Sequence, residues 1–531
     1  TEYFQNIMVY VKSTSSIIPS KPTPGGVLRL SECDQRMQWT HIPLIFIYKA
    51  TGDNNEKTKT VVETLKDSLS RVLVPYYPLA GRLHWIHGGR LEVHCNAKGA
   101  QLLEAYSEAK LDELGDFAPM KAIEDLVPKV DYGSPIEDWP LLLVQVTRFS
   151  CGGLCVATAM SHTMVDGWSA AKFFNAWAKL ARGDELEENE MPFHDRTILR
   201  SLHEPLMPPR FEHIEFTKPP LRLGHTDAKE EKKKETCVAI LKVTKEQVEG
   251  LRKKANAIPC QDVETVSTRP FSRYEAIASH LWRCICKARA NDNSQPTRVT
   301  LVIDFRSRLK PSLPPGYFGN TVLQTVTSKC VHGDLLAKPL SYAAGKLREA
   351  IERMTDEYIR SALDFIASQK DVGALRCGLH NGAHTNPPNY LGNPNASILS
   401  WINLPFYGMD YGWGKPIYVG PALINDDDGK TYIMSSPAAD GSLIIALRLQ
   451  TECMNSFKEF FYEDMPWPIY MISLKETTAD PSDASSVNAA QIISQVLGSR
   501  SGYLRALGHC MKPSSASSSS FRTRSNDDKT K

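Results

Sequence analysis

The chain has 531 residues, 42% of them hydrophobic and 23% charged, with a formal net charge of +2. This is an ordinary globular composition, long enough for two or three domains or two large ones. The near-neutral balance gives no electrostatic basis for binding nucleic acid or an anionic membrane, and no apolar run approaches the roughly 20 residues that span a bilayer.

The N-terminal "TEYFQNIMVYVKSTSS" lacks a basic segment followed by an apolar core, so no secretory signal is expected and the chain reads as cytoplasmic. The 12 cysteines are scattered, several inside apolar runs such as "FSCGGLCVATAM", and read as buried reduced thiols. Paired CxxC motifs, GxxxxGK[ST] and a strand-borne GxGxxG are all missing, so neither a metal site nor a standard nucleotide cradle is expected.

"HIPLIFIYK" (41–49) predicts a buried strand, and residues 57–73 place Val61, Val62, Leu65, Leu69, Val72 and Leu73 on one helix face. A turn-rich connector, "VPYYPLAGRL" (74–83), follows, then strands at 91–95, 140–149 and 154–160. After "SHTMVDG" (161–167) a helix carries Trp168, Ala171, Phe174 and Trp177 on one stripe. Residues 183–236 are proline-rich and end in the charge run "DAKEEKKKE", which predicts a long surface linker. The strand–helix alternation then resumes with "TCVAILKVT", "KEQVEGLRKKAN", "SRYEAIASHLWRCICKAR" and "RVTLVIDFRSR". Beyond about residue 465 the pattern weakens; 487–508 could form a helix, and the polar tract from 513 predicts disorder.

Four stretches carry candidate chemistry. His162 stands past a strand end with Asp166 four residues on, where an imidazole could take a proton from an attacking alcohol or amine. HxxxD also arises by chance, and a satisfied core histidine fits it equally. "DYGWG" (410–414) reads as a tight turn, either a plain hairpin or a structural clasp. Arg306 and Arg308 in "DFRSR" lie close before "LPPGYFGN" (313–320) and could build a buried ion pair or a solvated turn. Trp401 in "SWINLPFYG" could donate its indole N–H to an oxyanion or simply fill core.

Their joint occurrence is more specific than any one of them. "LSECDQ" (30–35), "YYPLAGRL" (76–83), "SHTMVDG", "SRYEAIASHLWR" (272–283), "LPPGYFGN" and "DYGWGKP" stand in this order, and together they resemble the plant BAHD acyltransferase family over about residues 7–465. Tyr411 replaces the usual phenylalanine of the family's DFGWG motif. The resemblance implies an α/β fold of two similar-sized α/β domains, chloramphenicol acetyltransferase-like, with an interdomain channel. In this chain that gives residues 1–182 with HxxxD, a crossover linker at 183–236, residues 237–465 with DYGWG, and an atypical, partly disordered extension at 466–531.

The resemblance further implies an acyl-CoA co-substrate, no permanently bound cofactor, no metal and a monomer acting on small molecules. His162 matches the catalytic histidine and Trp401 a tryptophan near the reacting carbonyl. Asp166 matches a structural aspartate paired with an arginine, here Arg306 first and Arg308 second. Asp410, Gly412, Trp413 and Gly414 match the structural clasp. Ser272 and Arg273 are candidates for CoA binding, and His41 for the acceptor wall. Within the family, "LSECDQRMQWTHIP", "PFHDRTILR" and "LPFYGMDYGWGKPIYVGP" look most like spermidine hydroxycinnamoyltransferases. Between Cys377 and Gly414 there is no arginine or lysine to meet an acceptor carboxylate, and Leu399 stands where ester-forming members carry a threonine. A polyamine acceptor is therefore expected. The alternatives are an O-acyltransferase on shikimate or quinate, and a catalytically inactive member that binds a partner.

Overall fold

Strands such as "HIPLIFIY" (His41–Tyr48) and "LCVATAMS" (Leu154–Ser161) are buried along nearly their whole length. Continuous burial requires a sheet covered on both faces. In the computed structural model, described for residues 7–49, 55–119, 121–200, 208–257, 269–376, 391–424, 427–463 and 465, two six-stranded mixed sheets meet this requirement. The expectations for residues 466–531 and for 377–390 fall outside the described residues.

The first sheet runs in the spatial order Tyr10–Ile17, Ala100–Ser107, Leu142–Phe149, Leu154–Ser161, His41–Tyr48, Tyr418–Pro421. The second runs Val322–Val326, Val299–Asp304, Ala396–Trp401, Lys430–Ser435, Leu443–Gln450, Thr236–Val243. Helices Asn55–Val72 and Gly167–Ala181 pack together on the first. Helix Arg273–Arg289 covers the second and is flanked by Lys245–Ala257, Leu340–Arg353 and Thr451–Glu463. A further apolar cluster joins Ile45, Ile47, Cys155 and Ala157 of the first sheet to Leu399, Tyr432, Met434, Ile444 and Ala446 of the second. The two sheets therefore turn their inner faces toward each other.

Three expectations change. Residues 404–421 lie in the sequence of the second domain, yet Tyr418–Pro421 extends the first sheet by pairing with His41–Tyr48. Phe406, Met409, Tyr411 and Val419 join the first sheet's core, so in space this crossing segment belongs to the first unit. The linker is more than a solvated surface segment: Arg196, His213, Glu215 and Glu231 are all buried. Glu231, inside the charge run, accepts hydrogen bonds from Gln450, Asn393 and Arg222. Among the described cysteines none is in a disulfide, and Cys151 is exposed.

Trp177 locks the first unit. It is fully buried, donates its indole N–H to Ser68 Oγ at 3.0 Å and meets Tyr411 of the crossing segment edge to face. Trp177→Ala is expected to destabilise the protein by about 3–5 kcal/mol, the usual cost of an emptied large aromatic site, read as a lowered Tm.

Candidate active site

Residues 162–166 connect the end of strand Leu154–Ser161 to helix Gly167–Ala181. His162 is buried at 7% exposure, and its N–H donates to Thr40 O at 3.1 Å across the strand pair. Its Nδ1 lies 3.1 Å from Val165 O. A carbonyl only accepts, so Nδ1 carries the hydrogen and the basic lone pair is on Nε2. Burial pushes the His162 pKa below its ordinary value, and the buried Lys430 ammonium pushes the same way against the raising effect of Asp166. The imidazole is thus neutral at physiological pH, the state a general base needs.

Asp166 is turned away from that ring. Its carboxylate caps helix Gly167–Ala181 by accepting from Ser169 N, accepts from Thr321 N, and takes a bidentate pair from Arg306 at 2.8 and 2.9 Å. Burial alone would raise its pKa, but Arg306 and the N–H donors hold it below the usual carboxylate range. Arg308 instead donates to Ile351 O and Met354 O at the end of helix Leu340–Arg353. Gly167 lies against the segment that follows Trp401: a Cβ there would sit 2.7 Å from Leu404 Cδ1.

Trp401 ends the central strand Ala396–Trp401 and packs edge-on against Phe406 and Tyr432. In the DYGWG stretch, Asp410 Oδ1 accepts from Gly412 N and Gly414 N at 2.8 and 2.9 Å. Both glycines have left-handed φ values of 107° and 103°, which explains glycine at these two positions. Trp413 stacks on Tyr411, and Arg182 donates to Asp410 O, fastening the turn to the end of helix Gly167–Ala181.

His41 pairs with Ser161 across the strands, one residue from His162. Both its ring nitrogens are engaged, Nε2 with Pro140 O at 2.7 Å and Nδ1 with Tyr132 OH at 3.1 Å, and burial pushes its pKa down to about 4. Ser272 spends its hydroxyl capping helix Arg273–Arg289, and Arg273 pairs with Glu249 and donates to Gly441 O. These two are not brought to His162 by any contact among the described residues.

The sequence reading missed a polar row on the inner face of the second sheet. Thr300, Ser397 and Lys430 are neighbours in register on three parallel strands. Strand alternation puts Lys430 on the same face as Tyr432 and Met434, which pack against the first sheet. Thr300, Ser397 and Lys430 are 2%, 1% and 0% exposed. The hydroxyls of Thr300 and Ser397 have no hydrogen-bond partner. Arg448 shares this face by the same alternation with Ile444 and Ala446. Nothing in local sequence marks Lys430; its place follows from strand register. Among the described residues no group of His, Cys, Asp and Glu could hold a metal, and no helix is long and apolar enough to cross a membrane.

Removing Asp166 would take the bidentate partner from Arg306 and leave it to the more exposed Asp304 at 3.1 Å, uncap a helix and free Thr321 N. Asp166→Ala is expected to cost about 3–5 kcal/mol, as for other broken buried pairs, seen as lost soluble yield or Tm. Because its pKa is depressed, the Asp166 contribution is present above the ordinary carboxylate value and is lost as pH falls through the folded value. The Tm of Asp166→Asn should therefore fall less than that of the parent chain as pH drops below the ordinary carboxylate range.

Residues 7–464 match the Transferase family. Hydroxycinnamoyl-CoA:piscidic acid hydroxycinnamoyltransferase of Actaea racemosa is 45% identical over 462 residues, 86% of this chain and 100% of the relative. Shikimate O-hydroxycinnamoyltransferase of Nicotiana tabacum is 40% identical over 457 residues, 86% of this chain and 99% of the relative. The fold is shared with the crystal structure of F. graminearum TRI101 complexed with coenzyme A and T-2 mycotoxin, at a TM-score of 0.65 and 17% identity, over 81% of this chain and 96% of that one. With a match that spans both sheets and all six motif segments, the chain belongs to the Transferase family, the BAHD acyltransferases, as an acyl-CoA-dependent enzyme of the hydroxycinnamoyltransferase group.

Proposed function

We propose that the chain moves a hydroxycinnamoyl group from its CoA thioester to a hydroxyl of a carboxylate-bearing acceptor, with His162 as general base. The observation that carries this reading is the neutral, buried imidazole of His162, its Nδ1–H tied to Val165 O and the Lys430 ammonium close enough to act on it. Nε2 takes the acceptor proton as the oxygen attacks the thioester carbonyl. A tetrahedral oxyanion forms, the C–S bond breaks, and the proton on His162 goes to the departing CoA sulfur. Trp401 is assigned to the reacting carbonyl, its indole N–H a donor for the oxyanion. Asp166, Asp410, Gly412, Trp413 and Gly414 hold the fold around these groups. Arg273 would meet a CoA phosphate only by exchanging its Glu249 partner.

The choice of acceptor rests on charge. The two relatives are named for piscidic acid and for O-transfer to shikimate, both acids. Lys430 on the inner face acts on His162 and fits an acid there better than a polycation; Arg448, on the same face, donates to Thr236 Oγ1 at 2.9 Å. The second reading, acylation of a polyamine such as spermidine, is favoured by the lack of arginine and lysine between Cys377 and Gly414. The acids that name the two relatives outweigh it.

His162→Ala is expected to lower kcat about 10²- to 10⁴-fold with the fold retained, and near-normal turnover would sink the assignment. With one hydroxycinnamoyl-CoA, kcat/KM for a hydroxy acid such as shikimate should exceed that for spermidine. Spermidine ahead by tenfold, about 1.4 kcal/mol of transition-state preference, would restore the polyamine reading.

Lys430 provides a separate check. Its charge disfavours the imidazolium, so the acid limb of the kcat/KM profile should lie below the ordinary histidine value of about 6.5. Lys430→Met should move that limb to higher pH and raise KM for the hydroxy acid about tenfold. An unmoved limb and an unchanged KM would remove Lys430 from the site.

A further inference from the structure

The loop that carries His162 is held by its carbonyls. Asn320 Nδ2 carries two hydrogens, one for Asp34 and one shared between His162 O at 2.9 Å and Thr163 O at 3.2 Å. Arg196 Nη2 donates to Met164 O at 2.9 Å. Three successive carbonyls of the loop are therefore gripped from outside, one arm coming from "YFGN" and the other from the linker.

Both arms converge on one carboxylate. Asp34 Oδ1 accepts from Asn320 N and from Asn320 Nδ2, each at 2.9 Å. Asp34 Oδ2 accepts from Ser31 N and Ser31 Oγ at 2.8 and 2.6 Å and forms an ion pair with Arg196 Nη1 at 3.0 Å. Asp34 and Asn320 are 0% exposed and Arg196 1%. A buried, charge-assisted network of this kind is stiff, because each bond broken leaves a desolvated group unpaired. These bonds hold the backbone of the loop, which aims the imidazole.

We propose that Asn320 is a positioning residue for His162, acting with Asp34 and Arg196 as a clamp on residues 162–164. The clamp rests on His162 being the base of the acyl transfer proposed above. It gives three motif segments, "LSECDQ", "PFHDRTILR" and "YFGN", one shared task that needs no contact with substrate. A base misplaced by about 1 Å can lose on the order of 10²-fold in rate, while substrate binding, made by other surfaces, is retained.

The test is a double-mutant cycle. Asn320→Ala should lower kcat about 10- to 100-fold and leave KM for both substrates within about threefold. In the His162→Ala background, adding Asn320→Ala should change the residual rate by less than about twofold, since nothing remains to be aimed. Full additivity in that background, or an effect confined to KM, would overturn the clamp while leaving His162 as the base. Near-normal turnover in His162→Ala alone would overturn the general-base reading and the clamp with it. If Asn320→Ala is insoluble, Asn320→Ser, which keeps a polar group beside Asp34 but cannot span to the two carbonyls, is measured in the same cycle with the same outcomes.

Discussion

A carboxylate buried between two sheets must be neutralised there, and Asp166 is neutralised by an arginine that lies 140 residues further along the chain. Arg306 also donates to Ser169 Oγ and Gly319 O. One guanidinium thus ties the start of the helix after His162 to the loop that bears Asn320. Such a pair forms only when both halves are folded and docked, because the fully buried Asp166 carboxylate alone in that place would be strongly unfavourable. Docking of the two units and placement of the loop that bears His162 are in this sense one event.

The same arrangement separates charge from chemistry. Asp34 and Asp166 are both spent on arginines, backbone N–H groups and the side chains of Ser31, Asn320 and Thr321. The Nδ1 partner is a neutral carbonyl. A carboxylate in that position would raise the pKa and favour the imidazolium; with a neutral carbonyl there, burial first and Lys430 second outweigh its raising effect and keep the ring available as a base. The anionic groups at the seam therefore serve geometry, and the one group proposed to move a proton is kept neutral.

The linker and the crossing segment show how far each unit depends on the other's sequence. Arg196 leaves the linker to hold Met164 O, and residues 404–421 complete the first sheet and pack beneath the DYGWG turn. Asp410 draws Gly412 and Gly414 into a turn that only residues without Cβ adopt freely, and Arg182 fastens it. That motif closes the first unit, although it is written in the second half of the chain.

Local sequence was enough to read strands such as His41–Tyr48 and Leu154–Ser161, helices such as Asn55–Val72 and Arg273–Arg289, and two α/β halves, because apolar patterning is a property of contiguous residues; the pairing of Asp166 with Arg306 was implied by the family resemblance that the motif segments carry. The edge strand Tyr10–Ile17 escaped that reading, since an exposed polar edge carries no apolar alternation. Four features were decided by tertiary structure alone: the membership of residues 404–421, the burial of linker charges, the convergence of Ser31, Arg196 and Asn320 on Asp34, and the row of Thr300, Ser397 and Lys430. Each depends on which strands become neighbours and in what register. A window of sequence between Cys377 and Gly414 contains no arginine or lysine, yet strand pairing sets Lys430 opposite Ser397, on the inner face of the second sheet. Register across a sheet is set by packing of residues far apart in the chain, so the electrostatic character of the site is not written in any one segment of it.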